Sequence, residues 1–222
     1  MGIRGFCRGW YAHGMITEPA VNRYILDLIP ERDPVLKDME DLAARDHIPI
    51  VGPVVGTLLS QLARSIGAAR IFELGSAIGY STIWLARALP PGGKVFYTDG
   101  DPRNAQLASS YFERAGLSDS IEVLVGDALE SFARIPGEYD LIFNDVDKEG
   151  YPDVYNQAVS RVRRGGFFVT DNTLRRGDVA DPGVSNAEID AVRLFNDLFA
   201  RDTRFETVLL PLRDGVTVAF RL

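Results

Sequence analysis

The chain carries one cysteine, Cys7, in 222 residues. A single thiol excludes an intramolecular disulfide and a cysteine-rich metal centre, and it fits a reducing compartment such as the cytoplasm. Histidine is almost as scarce. His13 lies near the start and His47 just before Pro49. No serine or cysteine nucleophile motif accompanies them, so a hydrolytic triad lacks its members. No run of about 18 apolar residues occurs, which leaves no candidate membrane-spanning helix. Positive charge is short as well: 24 Lys and Arg against 31 Asp and Glu give a net charge of −7. That balance argues against wrapping a nucleic-acid backbone, which needs a basic face.

What is present looks like an ordinary globular chain, 46% hydrophobic and 25% charged, of a length that suits one domain with a sizeable core. Residues 1–14 lack a continuous apolar stretch and make a poor signal peptide. They read as a disordered tail, a start placed upstream of Met15, or a cloning remnant. Residues 15–222 then form a single domain. Within it, residues 15–50 are a helical appendage and 51–222 an α/β core. The appendage has two helices: 19–28, with Val21, Ile25 and Leu28 at helical spacing, and 34–45, with Val35, Leu36, Met39 and Leu42 on one side. It must cover either a ligand mouth or a second subunit.

From residue 70 the pattern alternates. Strands are expected at 70–74, 94–98, 120–125, 139–144 and 165–170. Helices between and after them fall at 81–88, 102–115, 128–135, 151–162 and 187–200. Two strands joined by a short turn, 205–210 and 216–222, close the chain. Strand–helix alternation means a mostly parallel sheet with helices on both faces, and the terminal hairpin adds an antiparallel strand. The fold class is therefore α/β: a Rossmann-like sheet of seven strands. Ligands of such sheets sit beyond the carboxyl ends of the strands.

Three polar clusters fall at those ends. The first is the turn Gly75–Gly79, a G-x-x-x-G preceded by Glu73. Glycine lets the backbone approach a ligand, and the helix that follows opens with unpaired N–H groups. The middle glycine of the dinucleotide fingerprint G-x-G-x-x-G is missing, which disfavours an NAD-binding or other nucleotide-binding protein on the same sheet. In the second cluster, Asp99 is placed to accept from ribose hydroxyls and Asp101 to cap the next helix. Asp127 could accept from an adenine amino group beside the Ala128 N–H, or simply cap its helix. The third cluster joins Asp145 and Lys148 after strand four to Asp171 and Asn172 after strand five. Adjacent strands bring these ends about 5 Å apart. Asp145, Asp171 and Asn172 are hard oxygen donors that suit Mg²⁺, Ca²⁺ or Mn²⁺ rather than zinc. Lys148 is either a base beside that cation or a surface lysine paired with Glu149.

Together F-E-L-G-S-A-I-G-Y-S (residues 72–81), F-N-D-V-D-K-E-G-Y (143–151) and T-D-N-T (170–173) resemble the cation-dependent O-methyltransferases that include the catechol and caffeoyl-CoA enzymes. The likeness covers roughly residues 17–222. It implies S-adenosylmethionine as methyl donor. Glu73, Gly75 and Ser81 would hold its amino-acid end or the adjoining backbone, Asp99 its ribose, and Asp127 with Ala128 its adenine. Asp145, Asp171 and Asn172 match the metal ligands, with Mg²⁺ foremost, and Lys148 matches the catalytic base. Gly56 matches a glycine in the helix bordering the donor. Two positions depart from the family's usual residues: Val55, where an acid is common, and Asn144, where an apolar residue is commoner. The resemblance also implies a homodimer and a small vicinal dihydroxy aromatic acceptor. Methylation of a hydroxylated tRNA base is the alternative within the family. Acceptor choice falls to the appendage helices and the loop 173–186, where Arg175 and Arg176 either attract an anionic acceptor or are simply solvated.

Overall fold

The structure is a computed structural model that describes residues 16–222, so the reading of residues 1–14 lies outside the described residues. In chain order the elements are α1 (Pro19–Leu28), α2 (Pro34–Asp46), α3 (Gly52–Ser65), β1 (Arg70–Leu74), α4 (Tyr80–Ala86), β2 (Lys94–Asp99), α5 (Pro102–Arg114), β3 (Ile121–Val125), α6 (Ala128–Arg134), β4 (Tyr139–Asn144), α7 (Tyr151–Ala158), β5 (Val162–Thr170), α8 (Ala187–Arg201), β6 (Phe205–Leu210) and β7 (Val216–Arg221). Local chemistry sets several starts. Pro34 and Pro102 open α2 and α5, and the carboxylates of Asp33 and Asp101 accept from the N–H groups of Val35 and Arg103.

The seven strands form one sheet in the order β3-β2-β1-β4-β5-β7-β6. The pairs from β3 to β5 are parallel, and β7 lies antiparallel between β5 and β6. The chain runs outward from β1 to β3 and then returns to lay β4 on the other side of β1. That reversal opens a crevice at the carboxyl ends of β1 and β4.

Alternation along β1 sends Ile71 to one face and Phe72 to the other. Ile71 joins a core with Leu36, Met39, Val55, Leu59 and Ile83 under α2–α5. Phe72 joins an aromatic core with Phe132, Tyr139, Phe168, Phe195 and Phe199 under α6–α8. One element differs from expectation. The helix expected to run to 162 stops at Ala158, and β5 begins at Val162 instead of 165. Val162 pairs with Tyr139, and the register then shifts before Leu141 pairs with Phe167. Strand pairing across that irregularity wins over continued helix.

The appendage is part of the core. Leu36, Met39 and Ala43 of α2 are fully buried. Arg87 meets Asp33 at 2.5 Å, and Glu40 accepts from the Tyr80 hydroxyl at 2.6 Å and from Arg32 at 2.9 Å. By contrast, α1 buries only Asn22 and leaves Val21, Tyr24 and Leu28 exposed.

Candidate active site

Leu74 pairs with Asn144, and Asn144 with Thr170, along β1, β4 and β5. The residues after each strand therefore emerge side by side around a cleft of about 520 Å³. On one side of it the Gly75–Gly79 turn reverses the chain with positive φ at Gly75, Ala77 and Gly79. A Cβ on Gly75 would lie 2.8 Å from the carbonyl oxygen of Asp145, so only glycine fits between β1 and β4 here. The turn is pinned by β2. Ser76 N–H donates to the Thr98 carbonyl at 2.8 Å and Gly75 N–H to Thr98 Oγ1 at 3.1 Å, and the Thr98 hydroxyl donates to the Glu73 carbonyl at 2.7 Å. The Tyr97 hydroxyl donates to the Ala77 carbonyl at 2.6 Å.

Asp99 lines the cleft beside this turn. Its Oδ1 accepts from Asp101 N–H at 2.8 Å and Asn104 Nδ2 at 3.1 Å, and no hydrogen bond among the described residues reaches Oδ2. Further along, Asp127 and Ala128 line the wall while Asp127 also caps α6 through Glu130 N–H at 2.8 Å.

The opposite side holds the acids. Lys148 Nζ donates to Asp145 Oδ1 at 2.8 Å and to the Val146 carbonyl at 3.1 Å, so its partner is Asp145 and not Glu149. Asp171 is 2% exposed, and its Oδ1 has no hydrogen-bond partner. Burial and the neighbouring Asp145 charge push its carboxyl up to about 7 against the opposing pull of Arg213 and Lys148. Asn172 follows with φ 57, in the left-handed region, and lines the same cleft. Among the described residues no three His, Cys, Asp or Glu side chains gather at one point; this cluster is an acid pair with an adjoining amide.

A family model described as O-methyltransferase matches residues 30–222. The chain is 33% identical over 211 residues to the catechol O-methyltransferase of Niastella koreensis, across 90% of this chain and 96% of that protein. The chain belongs to the O-methyltransferase family. Among solved members, the O-methyltransferase from Bacillus cereus in complex with SAH gives a TM-score of 0.83 at 33% identity, covering 91% of this chain and 97% of that one. The O-methyltransferase TomG from Streptomyces achromogenes, in complex with SAM, gives 0.81 at 30% identity, covering 91% and 96%.

In this methyltransferase Gly75, Ser81, Asp99, Asp127, Ala128, Asp145, Lys148, Asp171 and Asn172 all line the one cleft. Glu73, which the resemblance assigns to the donor's amino-acid end or the adjoining backbone, does not line it. It is fully buried, accepts from the Thr82 hydroxyl of α4, and has no partner for Oε1. Burial raises its carboxyl to about 7, against the hydroxyls of Ser81, Thr82 and Ser76. Gly56 also lies away from the cleft wall. A Cβ there would sit 2.5 Å from the Trp84 indole, so its smallness serves α3–α4 packing. The cleft wall receives Pro49, Ile50 and Val51 from the connector, and nothing from α1, α2 or residues 173–186. Sequence reasoning missed Thr98, Tyr80 and Arg213. Thr98 sits inside an apolar strand run, and the turn bearing Arg213 carries no motif pointing at the cleft.

Among the described residues no helix is long and apolar enough to cross a membrane.

Proposed function

We propose that the cleft binds S-adenosylmethionine along Gly75, Asp99 and Asp127, and that the enzyme methylates one hydroxyl of a small vicinal dihydroxy aromatic acceptor at a divalent cation, Mg²⁺ foremost, held by Asp145, Asp171 and Asn172. The observation that carries this reading is Asp171, a buried carboxyl with an unpartnered oxygen beside a second acid. Closely spaced carboxylates in a buried site are costly without a cation. With the Asn172 amide they form a hard oxygen set that fits such an ion. The SAH and SAM complexes of the Bacillus cereus and Streptomyces achromogenes enzymes support the donor, and the name of the Niastella koreensis relative supports the acceptor class.

A divalent cation held by Asp145, Asp171 and Asn172 would supply Lewis acidity toward an acceptor hydroxyl. The chain's own residues do the rest. Asp99 Oδ2 is available to a ribose hydroxyl, and the backbone at Gly75 allows close approach of the donor. Ile50, Val51, Leu129 and Val154 give the cleft an apolar lining that limits water around the reacting atoms. Lys148 Nζ is the group placed to take the acceptor's proton. As an ammonium it cannot accept one, so this role would require the amine form, whose two remaining N–H groups suffice for Asp145 Oδ1 and the Val146 carbonyl.

Methyl transfer from S-adenosylmethionine to catechol, followed by product chromatography, tests the reading. EDTA should abolish turnover and added Mg²⁺ restore it, while calorimetry should show S-adenosylmethionine binding in both conditions. Undiminished turnover in EDTA would remove the cation from the mechanism.

A further inference from the structure

We infer that Arg213 selects the methyl acceptor by pairing with a carboxylate carried on the acceptor's aromatic ring, an inference that rests on the methyltransferase reading above.

Arg213 lies in the turn between β6 and β7, far in sequence from the motifs. Its side chain nevertheless lines the cleft beside Asp145, Asp171 and Asn172. Nη1 is buried, lies 3.8 Å from Asp171 Oδ2, and makes no hydrogen bond. At that separation the two groups attract but do not bond. The side chain as a whole is 23% exposed, so the other nitrogens can reach water, but the buried Nη1 donor is costly unless something meets it.

The other cations near this side are either bonded within the cleft or do not line it. Lys148 is bonded to Asp145 and the Val146 carbonyl. Arg175 is bonded to Glu188 and has a buried Nε without a partner, Arg176 is exposed, and neither lines the cleft. The role that the sequence left open for Arg175 and Arg176 therefore moves to Arg213.

The backbone holds Arg213 in place at some cost. Its φ of 50 is in the left-handed region that disfavours every residue but glycine. The turn is fixed from several directions. Ile16 N–H donates to the Arg213 carbonyl, Leu174 N–H to the Asp214 carbonyl, and Thr173 N–H to the Gly215 carbonyl. The Asp214 carboxylate accepts from Arg176 N–H. An aimed guanidinium with free donors is suited to a planar, two-oxygen anion. It stands at Asp171, on the acceptor side, away from Asp99 and Asp127. The anion it meets is therefore assigned to the acceptor: a hydroxylated aromatic acid in preference to a neutral catechol.

The test compares vicinal dihydroxybenzoates with catechol on the parent, Arg213→Gln and Arg213→Gly. Glycine suits the local φ, so the second variant guards against a folding defect. Calorimetry on protein saturated with SAH and Mg²⁺ gives Kd, and steady-state turnover gives KM. The parent should prefer a dihydroxybenzoate, and the acid-to-catechol ratio of both constants should worsen about 10- to 100-fold in each variant, the size expected for a charged hydrogen bond. Equal losses for both acceptors would mean that Arg213 acts only through Asp171, and would overturn the inference. A selective fall in SAH affinity would assign Arg213 to the donor's carboxylate and also overturn it. If the parent methylates catechol without preferring the acid, this inference alone falls. If it neither binds nor methylates either acceptor, the methyltransferase acceptor class is wrong and the inference falls with it.

Discussion

Replacing Glu73 by glutamine should stabilise the protein above neutral pH and change little near pH 5. Glu73 is wholly buried, with Oε1 unpartnered, and its carboxyl is raised from 4.5 to about 7 by burial. The folded protein keeps this proton up to about pH 7, whereas the unfolded chain releases it near 4.5. Between those values the folded state binds more protons, so stability falls as pH rises through the window and the loss is complete above it. At about 1.4 kcal/mol per pH unit, the ionised form costs about 3 kcal/mol. Glutamine has no such window. The Thr82 hydroxyl can still donate to its oxygen, and the hydroxyls of Ser76 and Ser81 are at hand to accept from its amide. For a protein of this size about 3 kcal/mol corresponds to a Tm gap of about 6–12 °C. Ligand-free thermal melts of parent and variant from pH 5 to 8.5 measure it. Comparing the two proteins at each pH cancels the other titrating groups, Asp171 among them. A gap that stays flat with pH would refute the reasoning, as would a variant melting below the parent at pH 8.5. Either would mean that the surrounding hydroxyls outweigh burial and keep Glu73 ionised.

Two smaller perturbations test the frame around the cleft. Gly56→Ala drives a methyl group to 2.5 Å from the Trp84 indole and should cost about 1–3 kcal/mol in urea unfolding. SAH affinity by calorimetry should stay within twofold, since Gly56 does not line the cleft. Asp33→Ala removes the α2 cap on Val35 N–H and the contact to Arg87, and should cost about 1–2 kcal/mol, mostly from the cap because the ion pair is partly exposed. Arg87 holds the Asp33 carboxyl below its ordinary value, so the penalty, read from melts at falling pH, should shrink once pH drops below the usual carboxylate range.

The alternation of apolar runs and helical spacings made the sheet, its parallel core and the reversed terminal strand readable before any coordinates, because those patterns report burial on two faces. The cleft-lining aspartates were readable for a related reason. A strand must end in a polar loop, and ends of neighbouring strands must meet. Glu73 shows where that logic stops. Its place at the end of β1 is a matter of sequence, but whether its carboxyl turns outward or toward Thr82 of α4 is decided by helix packing. Gly56 teaches the same point, since its partner Trp84 lies 28 positions away with no pattern linking them. The break at Ala158 depended on a register shift in β4–β5, which a helical periodicity cannot register.

The two sides of the cleft differ in how far their polar groups are already satisfied. On the Gly75 side, Thr98 and Tyr97 meet the backbone of the turn, and Asp99 Oδ1 is held by Asp101 and Asn104. That side is shaped before any ligand arrives. On the Asp171 side, Asp171 Oδ1 and Arg213 Nη1, both of residues that line the cleft, lack partners while buried. Unmet buried groups of both signs within one short region are costly, and each is relieved by a ligand of opposite character. On the proposed reading a cation would meet the acids and an anion the guanidinium. The Gly75 side, proposed for the donor, is thus preformed by hydrogen bonds within the chain, whereas the Asp171 side, proposed for the acceptor, would be completed by what binds there. On that proposal selectivity would belong to the side that needs completing, where Arg213 is the one cleft-lining cation without a hydrogen bond among the described residues.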